Sequence, residues 1–158
     1  MAKIAVVYWS GTGNTEAMAQ AVADGGKEAG AEVNMITPAA FSSDKVGEYD
    51  AIGFGCPSMG VEVLEEEEFE PMFTECENEL SGKKIGLFGS YGWGQGEWMT
   101  NWKERCEEDG ADLVTDPVIC QEAPEGETLD KTEGIGKAAG FIGRRCHLAP
   151  CIIKLLAH

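Results

Sequence analysis

Strand-like and helix-like segments alternate along this chain, and that alternation limits its fold more than any other feature. Lys3-Ile4-Ala5-Val6-Val7-Tyr8 is a near-continuous apolar run, the pattern of a parallel strand covered on both faces. Glu32-Val33-Asn34-Met35-Ile36 reads as a second strand, Asp50-Ala51-Ile52-Gly53-Phe54-Gly55 as a third and Lys84-Ile85-Gly86-Leu87-Phe88-Gly89 as a fourth. A fifth starts at Asp112-Leu113-Val114-Thr115, breaks at Pro117 and resumes at Val118-Ile119-Cys120. Between Thr15 and Gly30, the residues Ala17, Met18, Ala21, Val22 and Ala29 repeat on one helical face. Gly25 and Gly26 weaken that helix near its end, and Gly30 is placed to stop it. Helical patterns follow strands three, four and five at residues 67–80, 97–109 and 129–145. Five strands alternating with helices predict an α/β fold, a doubly wound parallel sheet with helices on both faces.

The 158 residues suffice for one domain with a sizeable core. Asp and Glu number 28 against 12 Lys and Arg, a net charge of −16. Such a surface repels phosphate backbones and anionic membranes, so neither nucleic acid nor membrane is an expected partner. It attracts basic protein surfaces. No apolar run nears the roughly 20 residues of a membrane span, and the start lacks a signal peptide's apolar region. The expectation is a cytoplasmic monomer. None of the six cysteines forms a Cys-x-x-Cys pair, so zinc ribbons and iron–sulfur clusters have no support. Cys56, Cys106 and Cys120 read as small apolar fillers. The run Glu65-Glu66-Glu67-Glu68 before Pro71 reads as a solvated helix start at the positive end of the helix dipole.

Strand one leads into Ser10-Gly11-Thr12-Gly13-Asn14-Thr15-Glu16. Glycines let the backbone turn and approach a ligand. The short polar side chains and the unpaired N–H groups of the next helix describe an anion pocket of neutral donors. It is not a Walker loop, which needs Lys-Ser or Lys-Thr after its last glycine. It is not a dinucleotide fingerprint, which needs Gly or Ala where Glu16 stands. With no Lys or Arg in the loop, a monophosphate suits it better than a triphosphate with magnesium.

In a parallel sheet, the loops leaving the strands share one edge, where ligands bind. Strand three leaves through Cys56-Pro57-Ser58-Met59-Gly60-Val61-Glu62-Val63-Leu64. Strand four leaves through Ser90-Tyr91-Gly92-Trp93-Gly94-Gln95-Gly96-Glu97-Trp98. The second of these interleaves aromatics with glycines, a flexible backbone carrying large flat faces suited to a planar ligand. Trp98 begins a helix and reads as a packing residue, whereas Trp93 lies between glycines; packing is also the default for Trp9 and Trp102. Met59 and Gly60 are placed to cover a planar ligand's other face, and Glu62 to accept a hydrogen bond from an imide N–H.

These three loops, in this order, resemble those of flavodoxins. The stretches Val7-Tyr8-Trp9-Ser10-Gly11-Thr12-Gly13-Asn14-Thr15-Glu16 and Gly86-Leu87-Phe88-Gly89-Ser90-Tyr91-Gly92-Trp93-Gly94 are similar to short-chain flavodoxins of anaerobic bacteria. The resemblance spans about residues 2–140 and implies a strand order of 2-1-3-4-5, with FMN bound non-covalently and one-electron transfer. It also implies roles. Ser10, Thr12, Gly13, Asn14 and Thr15 hold the phosphate, and Gly11 and Gly94 are among the cofactor-binding residues. Met59 lies against the ring's inner face, within the loop Pro57-Ser58-Met59-Gly60-Val61-Glu62, and Glu62 meets flavin N3. Trp93 stacks on the ring, and Ser90, Tyr91 and Gly92 line its edge. Gly60 permits the turn that presents a carbonyl to flavin N5. Relatives often carry an acid or small polar residue next; here Val61, being β-branched, resists positive φ.

Residues 141–158 depart from a usual flavodoxin ending, with three basic residues and no acids. The other 140 residues then hold 9 basic and 28 acidic groups, 9 − 28 = −19. Cys146, His147, Cys151 and His158 fit no standard metal-site spacing. The expected division is an FMN-binding domain at 1–140 and a basic tail at 141–158. The expected partners are redox enzymes with basic docking surfaces. An FMN-dependent NAD(P)H:quinone oxidoreductase is the alternative, weakened because neither cofactor loop offers Lys or Arg. A flavin-free receiver is weaker still: strand one ends in Tyr8-Trp9 rather than in acids.

Overall fold

The structure, a computed structural model, describes residues 2–140; the basic ending at 141–158, with Cys146, His147, Cys151 and His158, lies outside the described residues. The strands are β1 (Lys3–Tyr8), β2 (Glu32–Ile36), β3 (Ala51–Gly55), β4 (Lys84–Tyr91), β5 (Asp112–Leu113) and β6 (Val118–Gln121). The helices are α1 (Asn14–Glu28), α2 (Ser43–Val46), α3 (Phe69–Cys76) and α4 (Glu97–Glu108), and α5 runs over 126–140.

Every strand pairing is parallel, in the order β2-β1-β3-β4-β5, with β6 also on β4. The sequence predicts five strands, and the sheet has six. The two last ones share the fifth position: β5 pairs with Lys84 and Ile85, β6 with Phe88 through Tyr91. Pro117 lies between them and has no N–H to give a ladder.

Alternate residues of the strands feed two cores, one on each face of the sheet. Ala5, Val7, Ile52, Phe54 and Leu87 join Phe69, Phe73, Trp98 and Trp102 on the face of α3 and α4. Ile4, Val6 and Phe88 join Met18, Val22 and Ile135 on the face of α1 and α5.

Gly25 and Gly26 lie near the end of α1, which continues through Glu28. They let it touch α5. A Cβ on Gly25 would lie 2.0 Å from the Glu133 carbonyl oxygen, and one on Gly136 1.9 Å from that of Val22. The stop is at Gly30, where φ is 89° and the N–H groups of Gly30 and Ala31 donate to Lys27 O and Gly26 O. The same paired closure ends α4 at Gly110.

Two expectations need correction. The helix read at 67–80 is α3 followed by a 3-10 turn at Glu77–Glu79. Glu65 is not part of a solvated helix start: it is 6 % exposed. Its Oε1 accepts from Glu67 N–H at 2.8 Å, and its Oε2 from Glu68 and Phe69 N–H at 2.9 and 2.8 Å. Three orphan donors at the start of α3 thus converge on one buried carboxylate. The connection from β2 to β3 holds a 3-10 turn at Pro38–Ala40 and the single-turn α2, both too short to show a period.

Candidate functional site

Because the strands are parallel, β1, β3, β4 and β6 all deliver their following loops to one edge. The chain switches sides of the sheet between β1 and β3, which opens a crevice there. A cavity of about 200 Å³ fills it. The first loop contributes Gly11, Thr12, Asn14 and Thr15; the second contributes Pro57, Ser58 and Met59; the third contributes Ser90, Tyr91 and Gly92. Three segments far apart in sequence therefore meet as expected.

The first loop is shaped by Ser10 and Gly13. Ser10 Oγ accepts from Gly13 N–H at 3.1 Å and Glu16 N–H at 3.2 Å. Gly13 is left-handed, φ 96°, and offers no side-chain cap to α1. The N–H groups of Asn14 and Thr15 lie in the first turn of α1, where no intrahelical acceptor exists. Ser10 and Gly13 themselves are outside the cavity lining; they hold the loop in shape. Thr15 is buried, and its Oγ1 lies 3.2 Å from Ser90 Oγ while accepting the Ser90 N–H at 3.4 Å. This hydroxyl pair ties the first loop to the end of β4.

The second loop is a small hairpin. Met59 and Val63 exchange N–H to O bonds of 2.8 and 2.9 Å. Positive φ falls on Gly60 (50°) and Glu62 (48°), not on Val61. The β-branched residue therefore escapes the conformation it resists and stands 84 % exposed. Ser58 N–H donates to Ser90 O at 3.0 Å, joining this loop to the third. Glu62 lies away from the cavity: its Oε1 accepts the Glu97 N–H at 2.9 Å.

In the third loop, Tyr91 packs on Trp98 at 5.5 Å between centroids, and Trp98 Nε1–H donates to Cys56 O at 3.1 Å. Trp98 is a packing residue, as its position at the start of a helix suggests. Trp102 is buried as well. Trp93 is 61 % exposed, and Gly94 beside it is left-handed with φ 88°. Neither lines the cavity.

Trp9 and Glu122 line the cavity without having been singled out as ligand residues. Trp9 follows β1 directly, and Glu122 follows β6, so the rule that loops gather at one sheet edge reaches both. Glu122 has φ 61°, and its N–H donates to Tyr91 O at 2.9 Å. It is the one carboxylate in a lining that contains no Lys or Arg.

Burial also acts on the described thiols. Burial pushes Cys56 far up, and it pushes Cys76 and Cys106 to about 12. All four described cysteines are buried and unpaired with one another. Among the described residues no helix is long and apolar enough to cross a membrane, and no cluster of His, Cys, Asp and Glu could hold a metal.

Comparison with known proteins finds one family. The family model described as Flavodoxin matches residues 6–134. A flavodoxin of Megasphaera elsdenii is 47 % identical over 129 residues, 80 % of this chain and 94 % of its own. One of Clostridium beijerinckii is 47 % identical over 128 residues, 81 % of this chain and 93 % of its own. The solution structure of the two-electron reduced Megasphaera elsdenii flavodoxin superposes with a TM-score of 0.80 at 46 % identity, covering 87 % of this chain and 98 % of that one.

Proposed function

Since this chain belongs to the flavodoxin family and is an electron-transfer protein that binds FMN, we propose that its three loops hold the flavin without a covalent bond and pass single electrons at low potential. The observation that carries the assignment of residues is the meeting of the three loops at one crevice lined by neutral donors and no cation.

The residues fit the cofactor. Thr12, Asn14 and Thr15 would hold the phosphate with hydroxyl, amide and helix-start N–H donors, while Ser10 keeps the loop turned through the Gly13 N–H. A dianion held this way needs no lysine. Met59 lines the crevice, Trp93 stands one residue beyond the lining residue Gly92, and both are among the few large apolar side chains left exposed among the described residues. They would cover the two faces of the isoalloxazine, and Ser90, Tyr91, Gly92 and Gly94 would lie at its edge. Pro57, Ser58, Gly60 and Val61 give the inner loop its path, Glu62 supports it, and Gly11 leaves room beside the phosphate. The flavin, when bound, supplies the capacity to take up electrons one at a time.

The chain's own charge sets the direction of the potential. Glu122 in the lining and a net charge of −16 disfavour added negative charge in the crevice. The same surface attracts redox partners with basic faces, by long-range forces that salt screens. The protein works as a monomer in the cytoplasm, its tail at 141–158 being additional to the flavin-binding domain at 1–140.

Anaerobic dithionite titration followed by absorbance tests this. The expected result is a yellow protein reduced in two separated one-electron stages. A single two-electron stage overturns the carrier reading in favour of a reductase. Failure to take up added FMN overturns the site.

A further inference from the structure

Glu62 was expected to face the ligand, and the structure gives its carboxylate a second occupation. We propose that Glu62 is a positioning residue: a strut that fastens the 59–63 hairpin to the start of α4 and shapes the crevice before the cofactor enters. This deepens the FMN reading and rests on it for its consequence, though not for the strut itself.

Four observations converge. The hairpin is closed by the Met59–Val63 bridge, so Gly60, Val61 and Glu62 form a tight turn with little internal support. Glu62 is a non-glycine residue held at φ 48°, a conformation that costs free energy and persists only when something fixes it. The N-cap of α4 is Gly96, which has no side chain to cap the helix. Glu62 Oε1 reaches across from the other loop and accepts the Glu97 N–H at 2.9 Å, a donor that no residue of α4 can satisfy. A carboxylate at a helix start is also favoured by the dipole.

Gly94 shows that the third loop is built around this strut. A Cβ on Gly94 would lie 2.6 Å from Glu62 Cδ and 2.7 Å from its Oε1. The carboxylate fills the place that a side chain at 94 would take. Glu62 thus locks the loop that carries Met59 against the loop that carries Trp93.

The test uses amide hydrogen exchange of Glu97 in the FMN-free full chain, with FMN affinity as a second readout. The variants are Glu62→Ala, Glu62→Gln and Glu62→Asp. Gln keeps the length and an acceptor oxygen but loses the charge. Asp keeps the charge but is one methylene too short. The strut predicts Glu97 exchange roughly fivefold faster in E62A and E62D, near wild type in E62Q, and FMN affinity in the same order. Unchanged exchange at Glu97 in E62A overturns the strut. So does the opposite order, with Asp near wild type and Gln near Ala, because charge would then matter and reach would not. If exchange follows the strut while even the wild-type chain ignores FMN, the flavin reading fails and the strut stands.

Discussion

Glu65 gives the sharpest test of how the inner loop is anchored. Its carboxylate takes three backbone N–H groups at 2.8–2.9 Å, while the Glu65 N–H itself donates to Cys56 Sγ at 3.3 Å. Replacing it with alanine leaves three donors around the start of α3 without their acceptor, the one from Phe69 buried and those from Glu67 and Glu68 partly buried. The loss of a cap costs up to about 2 kcal/mol, and further unsatisfied buried donors bring the expected total to about 3 kcal/mol. At roughly 3 °C per kcal/mol for a domain of this size, that lowers Tm by about 10 °C. Glutamine behaves differently. Its carbonyl can stand where Oε2 stands and keep the bonds from Glu68 and Phe69. Its NH2 then faces the Glu67 N–H, donor against donor. E65Q should therefore lose about half as much, roughly 1–2 kcal/mol. Urea unfolding of the FMN-free protein measures both, with the slope m unchanged. An E65A loss below about 0.5 kcal/mol, the size of an ordinary surface change, would refute the cap. A glutamine variant as weak as the alanine one would show that charge at the helix start, not the bonds, does the anchoring.

Three other outcomes follow from neighbouring features. Gly134→Ala, with open space at its Cβ position, should stabilise α5 by about 0.5–1 kcal/mol, whereas Gly136→Ala, 1.9 Å from Val22 O, should cost about 3 kcal/mol; equal effects in urea unfolding would show that α1 and α5 are not in close contact. Trp93→Ala should leave Tm within about 2 °C, the side chain being 61 % exposed, and weaken FMN binding about tenfold, as fluorescence titration would measure. Asp109 is pushed up to about 6, first by burial and then by the neighbouring Glu77 carboxylate. Its folded state holds the proton more tightly than the unfolded state, so stability present at pH 4 is lost as pH rises through about 6. Asp109→Asn should remove that loss, about 1 kcal/mol after solvent screening, in unfolding curves at pH 5 and pH 7.5.

Much of this was legible in the sequence because it depends on local pattern. The apolar runs that become β1, β3 and β4 have the continuous hydrophobicity that burial on both faces demands. The break in the fifth strand is written in Pro117. The first loop shows its glycines and hydroxyls openly, and parallel strands dictate that it meets the other two. What stayed hidden depends on contacts between distant residues. Four consecutive glutamates look alike, and only loop closure decides that Glu65 goes inside while its neighbours stay out. Gly25 and Gly26 resemble helix breakers until α5 is seen lying on them. Glu62 and Glu122 adopt positive φ, which no side-chain preference announces, and Trp9 looks like an ordinary strand-end aromatic until the crevice opens beside it.

The glycine seam between α1 and α5 has a consequence for how the molecule is made. α1 carries the phosphate loop at its front, but its back is closed by residues 133–140, which leave the ribosome more than a hundred residues later. Until then Met18 and Val22 lack the Ile135 side of their core. A nascent chain stopped before residue 126 has every cofactor loop and no firm support beneath the first of them. Long-range closure of this kind comes late in folding. Chains truncated before residue 126 should therefore take up flavin far more weakly than the full chain, although they hold every cofactor loop.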